Sequence, residues 1–525
     1  MKIRLKHWLV VTHRWLGVAM CLLFALWFAT GIIMMYVEYP ELTEAERLAE
    51  RPALALERVA ITPDVAIAAA ESAMAGSAAT APEASAPESA VERLTLTMLG
   101  DRPVYEIGDA TGGTAVVFAD TGERFAGTDQ AAALRTVAHS GFMTVGASPV
   151  YDVRTDMDQW TVSEVLHPHR PLHRVRLNDD AGTVLYVSNT TGQIVRDTDR
   201  AERVWNWLGS TIHWIYPWQL RQHRGLWVDI VVWLSIAGLI SVLTGAILGF
   251  LRLRLNPRYS TGSMTPWRGM MKWHHLLGLA SLLFVSTFMF SGLMSMTPWG
   301  IFDPEAPLAP QLARYTGGEL RESDAVLRPG DFDVALASST IRDIPSASRD
   351  SAYAESIREI EWRWIDGLAH LVIRRADGER EPRVAGLDGA AAVAALRERI
   401  ERAVPDFLPE AAIVSSEVLE VYDDYYYTRH NRYRPLPVLR VRFDDAESSW
   451  YHIDLHSGAL VTRETVATRL GRWLFNGLHS LDFVWLTGRG PVWDVTVIAL
   501  CIAGFAFTVT SVVIGLRRVR GRSPA

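Results

Sequence analysis

Four stretches of the chain are continuously apolar for longer than any strand or half-buried helix requires, and each has the length of about 20 residues that a bilayer crossing needs. They run over residues 8–37, 226–251, 274–298 and 491–516. Between the first and second, and again between the third and fourth, lie long segments (38–225 and 299–490) in which short runs of alternating apolar and polar residues are broken by Gly, Pro, Asn and Asp. This alternation reads as strands, as in "RVRLNDD" followed by "TVLYVSNTTGQIV", with the "TTG" and "HSG" triplets supplying turns where glycine tolerates positive φ. Alanine-rich stretches at Gln130 to Ala138 and Ala390 to Ala403 read as helices beside them. Residues 203–218 and 469–486, rich in Trp and Phe, read as amphipathic segments lying in the membrane interface. Pro217 is expected to break the first of these before the second span begins. The predicted fold class is therefore a membrane protein of α+β type, with four transmembrane helices and two exported α+β domains.

The two halves carry the same outline. "THRWLGVAMCLLFALWFATGIIMMY" (from Thr12) and "WHHLLGLASLLFVSTFMFSGLMSMT" (from Trp273) share the spacing His13, Gly17, Gly31 and His274, Gly278, Gly292. The offset of 261 becomes 266 later in the chain, where Arg174, Val175 and Arg176 fall on Arg440, Val441 and Arg442. The same offset takes Trp207 to Trp473, His213 to His479 and Ala237-Gly238 to Ala503-Gly504. A tandem duplication is the expected architecture, each half being span, exported domain, span. The stretch Ser72 to Glu92, rich in Ala, Ser and Pro, reads as a flexible insertion without chemistry.

Charge sets the expected orientation. Thirteen of the 52 Lys and Arg residues, and none of the 59 Asp and Glu, fall in the amino-terminal start, the 252–273 loop and the 517–525 tail. By the positive-inside rule these three pieces are cytoplasmic. The exported remainder then carries a balance of about −20 and lies in the periplasm of a bacterial inner membrane, a surface that argues against nucleic-acid partners. The first apolar run is too long, and lacks the small-residue cleavage site, to read as a signal peptide. The only cysteines, Cys21 and Cys501, lie inside spans, so the exported domains are expected to hold together without disulfides.

Paired spans opening with "HRWLG" or "HHLLG", exported units of the "YVSNTTGQIV" and "HIDLHSGAL" type, and the terminal "NGLHSLDF" resemble the PepSY-associated transmembrane family. The resemblance covers nearly the whole chain apart from the Ala/Ser/Pro insertion. That family includes inner-membrane reductases of siderophore-bound iron that carry b-type haem. The resemblance therefore implies two PepSY-like exported domains and haem-based electron transfer to a ferric chelate, without fixing the substrate. PepSY domains are also associated with peptidase inhibition, so the same resemblance leaves open a membrane-anchored binding module for a peptide or peptidase.

The candidate chemistry lies in histidines. A haem with two axial imidazoles needs histidines projecting from neighbouring helices. His13 and His274, repeat-related and near the cytoplasmic ends of their spans, are the candidate ligands of an inner haem. Gly17 and Gly278, one turn deeper, would leave room for a flat ring. His213 and His479 are the candidate ligands of a second haem b near the outer leaflet. A histidine at a membrane boundary is often only an interfacial residue, and His275 and His223 are rival ligands. Arg224 and Arg489 could meet haem propionates or lipid phosphates. Asp229 and Asp494 could relay protons or complement a helix dipole. The "VYDDYYYTRHNRYRPLPV" stretch, with Asp423, Asp424, Tyr425, Tyr426, Tyr427, Arg429 and His430, could hold a metal chelate or form a solvated strand edge. His167, His169 and His173 in "HPHRPLH" could bind a divalent metal or sit in a loop.

No dinucleotide-binding glycine fingerprint fits in the cytoplasmic segments, so the expected electron donor is quinol or a separate cytoplasmic reductase. Transport of the chelate is the weaker alternative, because the spans read as unbroken helices without a polar midplane.

Overall fold

The computed structural model describes residues 2–78, 91–109, 113–305, 308–317, 351–384, 386–428 and 433–521. Most of the Ala/Ser/Pro insertion, together with Arg429, His430 and Arg522, falls outside the described residues.

Among the described residues three helices are long and apolar enough to cross a membrane: α1 (Lys2–Met34), α2 (Arg224–Arg252) and, near the end of the chain, the helix Pro491–Val519. The stretch expected to form the third span is instead two helices, α3 (Gly269–Ala280) and α4 (Leu282–Met294), bent by 70° at Ser281. The expectation of unbroken spans fails here. The sequence Gly278-Leu279-Ala280-Ser281 offers little side chain to stiffen the turn, and Ser281 Oγ donates to the Leu277 carbonyl at 2.7 Å, a back-bond that bends helices. Counting the bent pair as one span brings the total to four. We label Pro491–Val519 α5.

The helices pack in a closed set, α1 against α5 and α2, α2 against α4, and α5 against α3. Close approach depends on glycine. A side chain on Gly238 of α2 would meet the Phe24 ring of α1 at 3.0 Å, and one on Gly504 of α5 would collide with the Phe28 ring of α1. These two glycines are 266 positions apart and seat two successive aromatic knobs of α1. Around them lies an apolar core of Met20, Phe24, Phe28, Val285, Met289 and Val497.

The long connections each contribute seven described strands. The first holds β1 (Val91–Leu99), β2 (Arg102–Asp109), β3 (Thr114–Phe118), β4 (Val150–Thr155), β5 (Leu172–Arg176), β6 (Val184–Ser188) and β7 (Ile194–Thr198). The second holds β8 (Ile357–Ile365), β9 (Leu368–Arg375), β10 (Arg380–Arg383), β11 (Ile413–Leu419), β12 (Val438–Phe443), β13 (Trp450–Asp454) and β14 (Leu460–Glu464).

Strands β4 to β7 form an antiparallel meander in chain order, as do β11 to β14. The turns into β7 and β14 contain Gly192 and Gly458 at φ +71° and +67°, so the turn reading of "TTG" and "HSG" holds. The pattern reading found two strands in Pro171 to Val195, where the structure has β5, β6 and the start of β7. The helices Gln130–Ala138 and Gly389–Ala403 form where expected. They bury Ala133 and Val137 against Val175, Leu185 and Val187, and Leu396 and Ile400 against Val441 and Ile453.

The remaining six strands form one sheet in the order β10-β9-β8-β1-β2-β3, shared by the two connections. At its seam Leu94 pairs with Trp362, Thr95 with Glu361 and Leu96 with Ile360. This register is centred on Thr95 and Glu361, 266 positions apart. The seam is tied by buried charges: Glu359 accepts from both Arg47 and Arg51, and Arg374 joins Glu361 at 2.8 Å and also Glu44. Those arginines hold the Glu359 carboxyl down at about 2, against a burial that by itself would raise it.

Candidate functional site

The structure brings the four histidines together as two pairs. His13 of α1 and His274 of α3 have ring centroids 6.2 Å apart, with their planes 37° apart. His213 and His479 also have centroids 6.2 Å apart, at 75°.

The spacing can be judged from bond lengths. An imidazole–metal bond of about 2.0 Å, with the ring centroid about 1.1 Å behind the nitrogen, puts two rings on opposite sides of one ion about 6.2 Å apart. Two rings at right angles around the ion would stand about 4.4 Å apart on the same geometry. Both pairs therefore have the separation of imidazoles that face one another across a single ion.

Hydrogen bonds at Nδ1 bear on where each ring keeps its proton. His13 Nδ1 lies 3.0 Å from the Ser241 carbonyl, which can only accept, so Nδ1 carries the proton and Nε2 the lone pair. The other three rings meet hydroxyls, and Thr30, Ser291 and Thr510 each also lie within hydrogen-bond reach of a carbonyl of their own helix. Thr30 Oγ1 donates to the Leu26 carbonyl at 2.8 Å and lies 3.0 Å from His213 Nδ1. Ser291 Oγ donates to the Phe288 carbonyl at 3.1 Å and lies 3.0 Å from His479 Nδ1. Thr510 Oγ1 donates to the Phe507 carbonyl at 2.5 Å and lies 3.2 Å from His274 Nδ1, with Ser511 Oγ also at 3.2 Å. A hydroxyl that gives its hydrogen to the carbonyl accepts from its imidazole, and the ring then carries Nδ1–H and a lone pair on Nε2, as His13 does, the state of a ligating histidine whose second nitrogen is oriented by the protein.

The His213–His479 pair is carried by matching backbone devices. Each histidine follows a π-helical turn, Trp207–Thr211 and Trp473–Gly477, an irregularity that recurs at functional sites. Two residues past each histidine the chain turns through the left-handed region, at Ile215 (φ +52°) and Leu481 (φ +51°), conformations costly for branched side chains. The break expected at Pro217 therefore comes two residues earlier. Indole N–H groups hold both loops: Trp227 donates to the Trp214 carbonyl at 3.0 Å, Trp493 to the Ser480 carbonyl at 2.8 Å, and Trp27 to the His213 carbonyl at 2.8 Å.

Beside this pair is a cavity of about 730 Å³, within the range of cofactor pockets, walled by aromatic and methionine side chains. Gly31 and Gly292 line it, and a Cβ on either would stand 3.7 Å and 3.5 Å from the Cε1 atoms of His213 and His479. Tyr427 and Asp482, joined at 2.7 Å, stand on its wall, so one member of the expected Tyr and carboxylate cluster does reach it. The rest of that described cluster is used in packing. Asp423 pairs with Arg440 at 2.6 Å, Tyr425 receives the Trp473 N–H at 3.0 Å, and the Tyr426 ring stacks on His452.

At the first pair the glycines divide. A Cβ on Gly17 would meet nothing within 4 Å, whereas the space beside Gly278 is taken by the Phe507 ring, which stacks on His274. The glycine pressed against His13 is instead Gly245 of α2, whose Cβ would stand 2.6 Å from His13 Cε1.

The other sequence candidates go elsewhere. Both ring nitrogens of His275 are engaged, with Thr265 Oγ1 at 2.7 Å and the Gly249 carbonyl at 2.9 Å, which pins the 252–273 loop to α2. His223 is exposed at the start of α2. Arg224 pairs with Glu164 at 2.6 Å. Asp494 lies in the first turn of α5, but Asp229 lies beyond the first turn of α2. His169 meets Ser188, and His173 meets Tyr151 and Asn189. Among the described residues no group of three or more His, Cys, Asp or Glu is arranged to hold a metal ion, so "HPHRPLH" forms no such site.

Residues 10–518 match the PepSY-associated TM region. The chain belongs to the PepSY-associated TM family. It is a membrane protein, and no curated protein matches its sequence. In this PepSY-associated protein, sequence reasoning missed Gly245, Thr30, Ser291 and Thr510. A signal for two of them was present: Thr30-Gly31 and Ser291-Gly292 are hydroxyl-glycine pairs at the same offset of 261 as His13 and His274.

Proposed function

We propose that this protein is a four-span, tandemly duplicated haem b protein of the bacterial inner membrane that passes electrons from the cytoplasmic side to ferric iron in a chelate on the periplasmic side. The observation that carries the reading is the 6.2 Å separation of the ring centroids in both histidine pairs. Support comes also from the oxygen that each Nδ1 meets, from the repeat-related origin of the members of each pair, and from the cavity beside the second pair. Among the described residues no third His, Cys, Asp or Glu joins either pair as a metal-holding group, and two imidazoles alone suit an ion whose other positions are filled by a macrocycle.

His13 and His274 would hold the inner haem, His213 and His479 the outer. When bound there, haem b would supply one-electron exchange. The chain's own residues would fix the imidazoles and set the distance between the pairs. Thr30, which holds His213, stands seventeen residues beyond His13, or about 25 Å along α1, so the pairs would stand near opposite faces of a hydrocarbon layer of about 30 Å. Quinol or a separate cytoplasmic reductase would supply the electrons. The terminal segments and the 252–273 loop, basic and free of acidic residues, support a cytoplasmic placement for both termini.

The second reading is a membrane-anchored PepSY binding module for a peptide or peptidase, without redox activity. It is favoured by the edge strands β4 and β11, where Val153, Ile413 and Val414 are exposed at sheet edges that an extended peptide could join. A dithionite-reduced minus oxidised spectrum of the purified protein separates the two. A b-type α-band supports the electron-transfer reading, and its absence leaves the anchored module. With haem present, His13→Ala or His274→Ala should remove one centre while the other persists.

A further inference from the structure

Every one of the four imidazoles meets an oxygen at Nδ1, and three of those oxygens are side-chain hydroxyls on membrane helices. A Ser or Thr in a helix commonly turns its hydroxyl back to a carbonyl one turn earlier, and that alone would be a structural habit. Here the same hydroxyls are also aligned on Nδ1 at 3.0–3.2 Å, and a hydroxyl that has given its hydrogen to a carbonyl is a pure acceptor. Two of them, Thr30 and Ser291, serve the cavity-side pair from equivalent places on α1 and α4.

We propose that Thr30, Ser291 and Thr510 are positioning residues that lock the Nδ1–H tautomer of His213, His479 and His274, and so set the electron donation from each Nε2 to the iron. This rests on the haem reading above and deepens it. An Nδ1–H that is hydrogen-bonded makes the imidazole a stronger donor, which favours the oxidised metal. Removing the acceptor should therefore raise the midpoint potential of the affected centre and weaken its hold on the cofactor about 10- to 100-fold.

The test is a redox titration of Thr30→Val, Ser291→Ala and Thr30→Ser in full-length protein, followed by absorption and electron paramagnetic resonance. The expected result is a raised midpoint for the outer centre in Thr30→Val and in Ser291→Ala, an unchanged inner centre, and a wild-type midpoint in Thr30→Ser. Loss of the outer spectrum alone, with the inner centre intact, has the same meaning. Unchanged midpoints, line shapes and haem retention in Ser291→Ala would overturn the proposal; that variant deletes one oxygen and decides the matter even where Thr30→Val fails to fold. For His274, Ser511 stands in reserve, so Thr510→Val alone should act weakly and the double variant with Ser511→Ala strongly. A wild-type protein without any b-type spectrum would instead sink the haem reading itself, so the two failures are distinguishable.

Discussion

Replacing Gly245 by alanine tests the inner pair with a single methyl group. The new Cβ would stand 2.6 Å from His13 Cε1 and 3.1 Å from its Nδ1, against about 3.5 Å for a relaxed carbon–carbon contact. The imidazole must retreat by about 0.9 Å. That displacement would break the 3.0 Å contact with the Ser241 carbonyl and exceed the tolerance of about 0.2 Å on a metal–nitrogen distance. The helix should survive. Alanine is better than glycine in a helix interior by about 1 kcal/mol, which offsets part of an overpacking cost of about 1–3 kcal/mol. A pyridine haemochrome assay per polypeptide should therefore fall from two haems to one, with the His213–His479 centre spectrally intact. Gly225→Ala, where a Cβ meets nothing within 4 Å, should keep both. Two haems and an unchanged spectrum in Gly245→Ala would refute the claim that His13 is a ligand fixed by this contact.

Further predictions concern stability and the loops. Glu359→Ala strands two buried guanidiniums at the seam of the six-stranded sheet and should cost about 3–5 kcal/mol, read as a lowered thermal midpoint; a change below 1 kcal/mol would show that the seam is held by its apolar pairs. In the β11–β14 sheet, burial followed by the charge of Arg440 holds His452 down at about 3, so the stability it contributes is present above pH 6.5 and is lost as the pH falls from there. Burial pushes Glu464 up to about 7, so its contribution is present below pH 4.5 and is lost as the pH rises through 7. His452→Gln and Glu464→Gln should thus change the slope of stability against pH in opposite senses, each by about 1.4 kcal/mol per pH unit within its window, and equal slopes in both variants would contradict the assignment. Trp227→Phe and Trp493→Phe each delete an indole donor to a histidine-bearing loop, at about 1 kcal/mol, and should perturb the outer spectrum alone; no change would mean that packing suffices to hold the loops.

What the sequence by itself determined is whatever depends on neighbours within a turn or two. Long apolar runs have only a bilayer or a deep core to enter, so three spans were legible. Alternation over five or six residues marked β5, β6 and β13, and the Ala-rich periodicity marked the helices over Gln130–Ala138 and Gly389–Ala403. Spacing within the repeat also gave His13 and His274 the same place relative to Gly17 and Gly278. Tertiary structure alone decided the rest, because it depends on groups far apart in the chain. The bend at Ser281 arises where a stretch of small residues leaves the helix free to follow its packing. The six-stranded sheet exists because Leu94 finds Trp362. Gly278 gives its space to Phe507, whereas Gly31 and Gly292, one turn or more from any histidine of their own helix, face His213 and His479. Which oxygen each Nδ1 meets was settled by Thr30, Ser291, Thr510 and the Ser241 carbonyl. A hydrogen bond between side chains about two hundred residues apart leaves no periodic trace in a sequence, because nothing local is needed to make it.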